Sequence, residues 1–171
     1  MKKLILLRHG KAEAGVSNFD DFERALAPRG RSAAAQIGAW LAENSHFPAH
    51  ALVSSARRTR ETWEIVSAVL ARPIPVDDDR AFYLAPPGEI LARLAGVDDT
   101  VPCTILVGHN PGIETLAGLL AGPGSEQGAM ADLARGFPTA GVAVFTLAAD
   151  SWSETGAADS RLVAFLRPRD L

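Results

Sequence analysis

Lys3-Leu4-Ile5-Leu6-Leu7-Arg8-His9-Gly10 is the stretch on which the reading of the chain turns. Lys3 to Leu7 is a short apolar run without the alternation of a half-exposed strand. It predicts a strand buried on both faces, as in parallel sheets covered by helices. Arg8-His9-Gly10 then falls at the carboxyl end of that strand, where open α/β sheets place their sites. A histidine there can be a nucleophile, a base or a ligand. The adjacent arginine offers a planar fork for phosphate or carboxylate. Gly10 lets backbone and ligand approach closely.

Outward from this stretch, strand and helix patterns alternate. A polar segment over 10–23 is long for a simple connection and is expected to be a functional loop. Pro28 and Gly30 open a helix with Ala34, Ile37 and Leu41 on its apolar face. Ala51 to Val53 is a second strand, ending at Ser54-Ser55. Trp63, Val66, Val69 and Leu70 mark a second helix, stopped by Pro73 and Pro75. Ile74 to Val76 is a candidate edge strand, and Pro86-Pro87-Gly88 introduces a short helix. Thr104 to Val107 is another buried strand. After it, Asn110 is the expected cap and Pro111 the expected first residue of a helix carrying Ile113, Leu116 and Leu120. Gly141 to Leu147 and Leu162 to Leu166 close the chain as two strands expected to pair antiparallel, joined by a polar hairpin connection. The alternation predicts a three-layer α/β/α sandwich, with a mostly parallel sheet and helices on both faces.

The 171 residues have no internal repeat or linker and are read as one domain, 1–171. A hydrophobic fraction of 47% with 22% charged residues excludes a disordered chain, a collagen-like repeat and a coiled coil. A net charge of −3 argues against non-specific nucleic-acid binding. No run approaches the roughly 18 apolar residues of a membrane span. The basic start followed by Leu4–Leu7 is too short for a signal peptide, so a cytoplasmic protein is expected. The single cysteine, Cys103, rules out an internal disulfide and the multi-cysteine zinc sites. It is expected to be buried and inert. Asp77-Asp78-Asp79 reads as a solvated turn, and no metal site or cofactor is expected. Trp40 and Trp63 lie at core-facing spacing, whereas Trp152 sits unexplained in a polar stretch.

Two further segments carry chemistry. Gly108-His109-Asn110-Pro111 ends a strand at a helix start, where unpaired N–H groups suit an anion. Ser54-Ser55-Ala56-Arg57-Arg58-Thr59-Arg60-Glu61-Thr62 makes the same junction elsewhere. Only one or two of its three arginines can face a common pocket, and Arg57 and Arg60 are read as solvated. Three strand ends thus deliver two histidines and two arginines with no carboxylate cluster. That is the composition of a phosphate pocket in which a histidine attacks, and not of a metal site.

Taken in order, Leu7-Arg8-His9-Gly10-Lys11-Ala12-Glu13, Asp21 with Arg24, Pro28-Arg29-Gly30, Ser55 to Thr62, Gly108-His109-Asn110-Pro111 and Pro138-Thr139-Ala140-Gly141 resemble the histidine phosphatase, or phosphoglycerate mutase-like, superfamily. Within it they resemble the short phosphohistidine phosphatases of the SixA type. The resemblance runs over nearly the whole chain. It implies the phosphoglycerate mutase-like fold, His9 as nucleophile, Arg8 and Arg58 as phosphate-binding arginines, and His109 as a second phosphate contact. Arg24 falls where the SixA-like subgroup has an additional arginine near the phosphate. Two departures stand out. Many relatives have Ser-Pro where this chain has Ser54-Ser55-Ala56. The larger relatives carry a proton-donating acid where this chain reads Phe82-Tyr83-Leu84-Ala85-Pro86-Pro87, a gap that SixA-type proteins share.

The chemistry expected is metal-independent, two-step phosphoryl transfer through phospho-His9. Imidazole leaves phosphorus more easily than an alkoxide does, so a pocket without an acid suits phosphohistidine on a protein such as a phosphotransfer domain. The alternatives are a phosphomonoesterase for a small phosphorylated metabolite or nucleotide, with Glu89, Asp20 or Asp21 as acid, and a non-catalytic phosphate-binding module.

Overall fold

The apolar run at the start of the chain is an interior strand of the sheet, with a parallel neighbour on one side and an antiparallel neighbour on the other. In the computed structural model, which describes residues 1–15 and 20–168, it forms β1 (Lys2–Arg8). Leu4, Ile5, Leu6 and Leu7 are all fully buried, so four consecutive side chains fill two cores. Complete burial of each contributes roughly 1.5–3 kcal/mol relative to exposure.

The remaining strands are β2 (His50–Ser54), β3 (Val76–Asp79), β4 (Cys103–Gly108), β5 (Val142–Leu147) and β6 (Ser160–Leu166), in the order β3-β2-β4-β1-β5-β6. The first four are parallel to one another. β5 runs antiparallel to both β1 and β6, as the hairpin pattern predicts. The pleat sorts the side chains. Ile5, Leu7, Val53, Ile105 and Val107 face α1 (Pro28–Glu43) and α2 (Arg57–Leu70), which supply Ile37, Leu41, Trp63 and Val66. Leu4, Leu6, Leu52 and Leu106 face the other way, toward α3 (Pro87–Leu94), α4 (Gly112–Leu120) and α5 (Gln127–Ala134). The result is the three-layer α/β/α sandwich.

Several local expectations need correction. Asp77, Asp78 and Asp79 are not a turn: they form most of the edge strand β3, which begins at Val76 and not at Ile74. The stretch between α4 and β5, for which the sequence pattern predicts no helix, contains α5, whose weak apolar pattern buries only Leu133. Asn110 does not cap α4. Its side-chain N–H₂ donates instead to Glu114 (2.9 Å) and to the Phe137 carbonyl (3.0 Å), and the helix begins at Gly112. Val69 is 39% exposed and Trp40 only half-buried, Trp40 lying against the His46 ring. Trp152, in contrast, is fully buried. Its indole N–H donates to the Val101 carbonyl and its backbone N–H to Asp99, with Lys2 over the ring. Cys103 is buried, which pushes its thiol up to about 11.

Among the described residues no helix is long and apolar enough to cross a membrane.

Candidate active site

Parallel register places the two histidines side by side. Arg8 of β1 pairs with Gly108 of β4, so His9 and His109 leave the sheet together, with ring centroids 5.2 Å apart. The backbone beneath them is clamped. The Ala140 N–H donates to the carbonyls of both Arg8 (3.1 Å) and His9 (2.9 Å), which is the work of the Pro138-Thr139-Ala140-Gly141 segment before β5.

Gly10 turns the chain away from the strand. A Cβ there would lie 2.7 Å from the Gly30 carbonyl oxygen, and one on Gly30 would lie 2.1 Å from the Lys11 oxygen. The close approach that requires glycine is therefore between two backbones, the His9–Lys11 turn and the first turn of α1. Thr62 completes the junction: its hydroxyl accepts the Gly10 N–H (3.0 Å) and donates to the Arg58 carbonyl.

The His9 ring has a defined orientation. Nδ1 donates to the Gly10 carbonyl at 2.7 Å, so Nε2 keeps its lone pair and receives the Arg58 Nε–H at 3.3 Å. Burial pushes its pKa down to about 4, helped by the charges of Arg58, Arg8 and Arg24 and opposed by the Gly10 hydrogen bond. His109 is held differently. Its Nε2 lies 2.8 Å from Ser54 Oγ at the end of β2, and its Nδ1 lies 3.4 Å from Arg58 Nη2. Burial, His9 and Arg58 push it down to about 3. Both rings are neutral at pH 7.

Arg58 is 4% exposed and joins the two. Arg57 and Arg60 point outward, as their spacing predicts, and pair with Glu61 and Asp78. Arg8 donates to the Phe137 carbonyl at 2.9 Å, and its buried Nε has no hydrogen-bond partner among the described residues. Burial lowers the Arg8 pKa, partly offset by Glu114.

The rim comes from the expected long loop, of which residues 16–19 lie outside the described residues. A 3₁₀ turn at Asp21–Glu23 brings in Asp21 and Arg24. The Asp21 carboxylate receives Arg24 (2.8 Å), Arg58 (3.0 Å) and the Tyr83 hydroxyl (2.6 Å), and its carbonyl receives Arg58 again. The Tyr83 and Arg24 hydrogen bonds hold its carboxyl well below the usual range, so it is ionised. Arg24 also donates twice to the Glu13 carbonyl. Asp20 is occupied in capping the 3₁₀ turn, and Glu89 sits exposed in the first turn of α3, away from the pocket lining.

Arg8, His9, Arg24, Arg58 and His109 thus share one pocket of about 250 Å³ with Asp21, Lys11 and Thr139. Gly10 lies behind it. Sequence reasoning assigns no task to Ser54 or Tyr83, although both fall within quoted segments. Their usable signals are a serine at a strand end before the arginines and an aromatic residue where relatives carry an acid. Among the described residues no group of three or more His, Cys, Asp or Glu side chains could hold a metal ion.

Residues 4–82 match the Histidine phosphatase superfamily (branch 1). An uncharacterized protein of Mycobacterium leprae (strain TN) is 31% identical over 166 residues, covering 95% of this chain and 100% of the relative. A solved structure from Nakamurella multipartitia, provisionally named phosphohistidine phosphatase SixA, superposes with a TM-score of 0.80 at 30% identity, over 98% of this chain and 96% of its own. One from Agrobacterium tumefaciens, provisionally named likewise, gives 0.81 at 30% identity over 98% of both chains. Alignment at this identity over nearly the full length of both partners, with the histidine and arginine segments gathered into one pocket, places the chain in the histidine phosphatase superfamily, with a SixA-like fold.

Proposed function

We propose that this phosphatase removes the phosphoryl group from phosphohistidine on a protein such as a phosphotransfer domain, through a covalent phospho-His9 intermediate. The observation that carries the reading is the His9 ring: Nδ1 donates to Gly10, so the Nε2 lone pair meets Arg58 in the pocket. In the first step Nε2 forms a bond to phosphorus while the substrate P–N bond breaks. The leaving imidazole takes the electron pair, its distal nitrogen already carrying a proton. In the second step water attacks phosphorus. The His9–P bond breaks, Nε2 recovers its lone pair, and the water proton passes to phosphate or solvent. Arg8, Arg58, His109 and Arg24 hold the equatorial oxygens, whose charge the transition state spreads. The fixed charge of the three arginines serves where other phosphoryl-transfer sites use a cation, which makes the reaction metal-independent.

The placement of the carboxylates supports this substrate class. Asp21 is ionised by its partners, Asp20 caps a turn and Glu89 lies off the pocket. None is a protonated acid beside Nε2, so a leaving group that needs no proton from the enzyme fits best. The similarity to two chains named phosphohistidine phosphatase points the same way.

The test compares wild type with His9→Ala on a phosphohistidine-bearing phosphotransfer protein and on an aryl phosphate, with chelator present. Faster release from phosphohistidine, lost with His9, is expected. Efficient His9-dependent turnover of the aryl ester alone would replace this reading with a phosphomonoesterase. Phosphate binding without a phosphoenzyme would leave a binding module.

A further inference from the structure

Beside the catalytic pocket lies a second cavity of about 420 Å³, between the first turns of α1 and the end of β6. Lys11 and Thr139 line both, so the two adjoin. The second adds Arg29, Ser32 and Gln36 from α1, and Arg167 from just beyond β6. No carboxylate lines it among the described residues.

Its three cations carry no counter-charge, a condition they share with Lys3, Arg8, Arg72, Arg80 and Arg161 among the described residues. Arg24, Arg31, Arg57, Arg58, Arg60, Arg93 and Arg135 each pair with an aspartate or glutamate. Lys11, Arg29 and Arg167 take part in no ion pair among the described residues, in a chain whose net charge is −3. Arg167 is only 6% exposed. One end nitrogen donates to the carbonyls of Asp132 and Gly136, while its buried Nε has no hydrogen-bond partner among the described residues. A buried guanidinium without a counter-charge is costly to keep, and an anion arriving beside it recovers part of that cost.

We propose that this cavity is a second anion subsite, which takes the carboxylate of an acidic residue near the phosphohistidine on the protein substrate. The proposal rests on the phosphohistidine reading and narrows it: the substrate is a polypeptide carrying acidic side chains around the modified histidine. Arg29 and Arg167 match a carboxylate in charge and in fork geometry, and Ser32, Gln36 and Thr139 add hydrogen-bonding groups around it. The phosphoryl group itself goes to the smaller pocket, where the histidines are.

Two phosphohistidine peptides test this, identical except that the three residues on each side of the histidine are Glu in one and Gln in the other. Exposed pairs are individually weak, so three converging cations should favour the Glu peptide by about tenfold in kcat/KM, mainly through KM, and less at high salt. Arg29→Gln is expected to shrink the preference to within about threefold while leaving the Gln peptide unchanged. Arg29 is exposed on α1, so this variant spares the core. Equal use of both peptides by wild type, or a preference that survives Arg29→Gln, overturns the proposal. A preference for carboxyphenyl phosphate over phenyl phosphate without one between the peptides overturns the polypeptide assignment.

A sulfate titration followed through backbone amide shifts separates this from the function reading. If neither peptide is hydrolysed but sulfate moves the Ser32 and Gln36 amides in an Arg29-dependent way, the substrate reading fails and the anion subsite stands. If sulfate leaves those amides unmoved, the subsite fails whatever the activity.

Discussion

His9, His109, Arg58 and Ser54 make the floor of the pocket, and all four are buried at or just beyond the ends of parallel strands or in the first turn of the helix that follows. Asp21, Arg24 and Tyr83 make the rim, and all three keep solvent exposure while holding one another by hydrogen bonds. The floor is positioned by the sheet: strand register puts the rings together, and the Ala140 N–H ties down the backbone. The rim is positioned by one carboxylate, which sits on two of the cations proposed to hold the phosphoryl group. Rigid strand ends hold a reacting atom in place better than a loop does. A loop-borne counter-charge can yield to an incoming anion.

That contrast can be broken most sharply at His9. His9→Ala should lower phosphate release by roughly 10⁴-fold or more, as loss of a nucleophile generally does, and abolish the phosphoenzyme seen after acid-free quench. Survival of the labelled intermediate would move the chemistry off the floor. Arg58→Ala should cost about 10²–10³ in kcat, the usual effect of deleting one charge-stabilising contact. Circular dichroism would check that the fold remains. Ser54→Ala removes the partner of His109 Nε2 and should cost roughly tenfold in kcat, about one hydrogen bond's worth. Thr62 lies one turn from Arg58 and serves as a control for damage to the floor's backbone, because its hydroxyl supports Gly10 and not a ring.

The rim should respond in the opposite direction. Asp21→Asn takes a negative charge off Arg24 and Arg58, so inhibition by inorganic phosphate should tighten by about threefold at low salt. Weaker inhibition would make Asp21 an organiser of the arginines and not their competitor. The smallest effect is that of pH. On the proposed mechanism His9 attacks only when Nε2 is unprotonated, and its pKa is pushed down to about 4. The pH profile of kcat/KM should therefore be flat through neutrality and reach half its plateau near pH 4. Stability follows the same sign. Both histidines have folded values below the ordinary 6.5, about 4 for His9 and about 3 for His109. The unfolded chain takes up protons first, so stability falls as pH drops below about 6.5 and goes on falling until the folded rings protonate. A denaturant midpoint that stays constant from pH 7 to pH 4.5 would contradict the depressed values.

The floor is more legible in the sequence than the rim, for physical reasons, although Ser54 of the floor carries no expected task and Arg24 of the rim is marked by the family resemblance. A run such as Leu4–Leu7, read as a strand, is buried on both faces only inside a sheet covered on both sides, so the position of Arg8-His9 at a strand end follows from the run itself. The strand preceding His109 carries the same signal. Helical spacing separates Arg58 from Arg57 and Arg60, and the family resemblance says which of them belongs to the phosphate. The pairing of Asp21 with Arg24, three residues on, is within reach of the sequence, but its contacts with Arg58 and Tyr83 span 37 and 62 residues of chain and leave no periodic trace. Asn110 departs from its expected role for a related reason. Its identity and place fit a helix cap, but a distant carbonyl at Phe137 and a carboxylate at Glu114 take its side chain. The α5 helix hid because it packs lightly, with one buried side chain.

Asp77, Asp78 and Asp79 on β3 bear on a property unrelated to phosphate. An edge strand offers unpaired backbone groups to any passing strand, and most of what passes in a crowded solution is another copy of the same chain. β3 is four residues long, follows Pro73 and Pro75, and carries three consecutive carboxylates. Two copies brought edge to edge would have to bring like charges together across a very short ladder. The segment expected to be a solvated turn is thus a short, charged edge of the kind that disfavours edge-to-edge pairing of two copies. Neutralising it with asparagines would lower colloidal stability without touching a residue of the pocket.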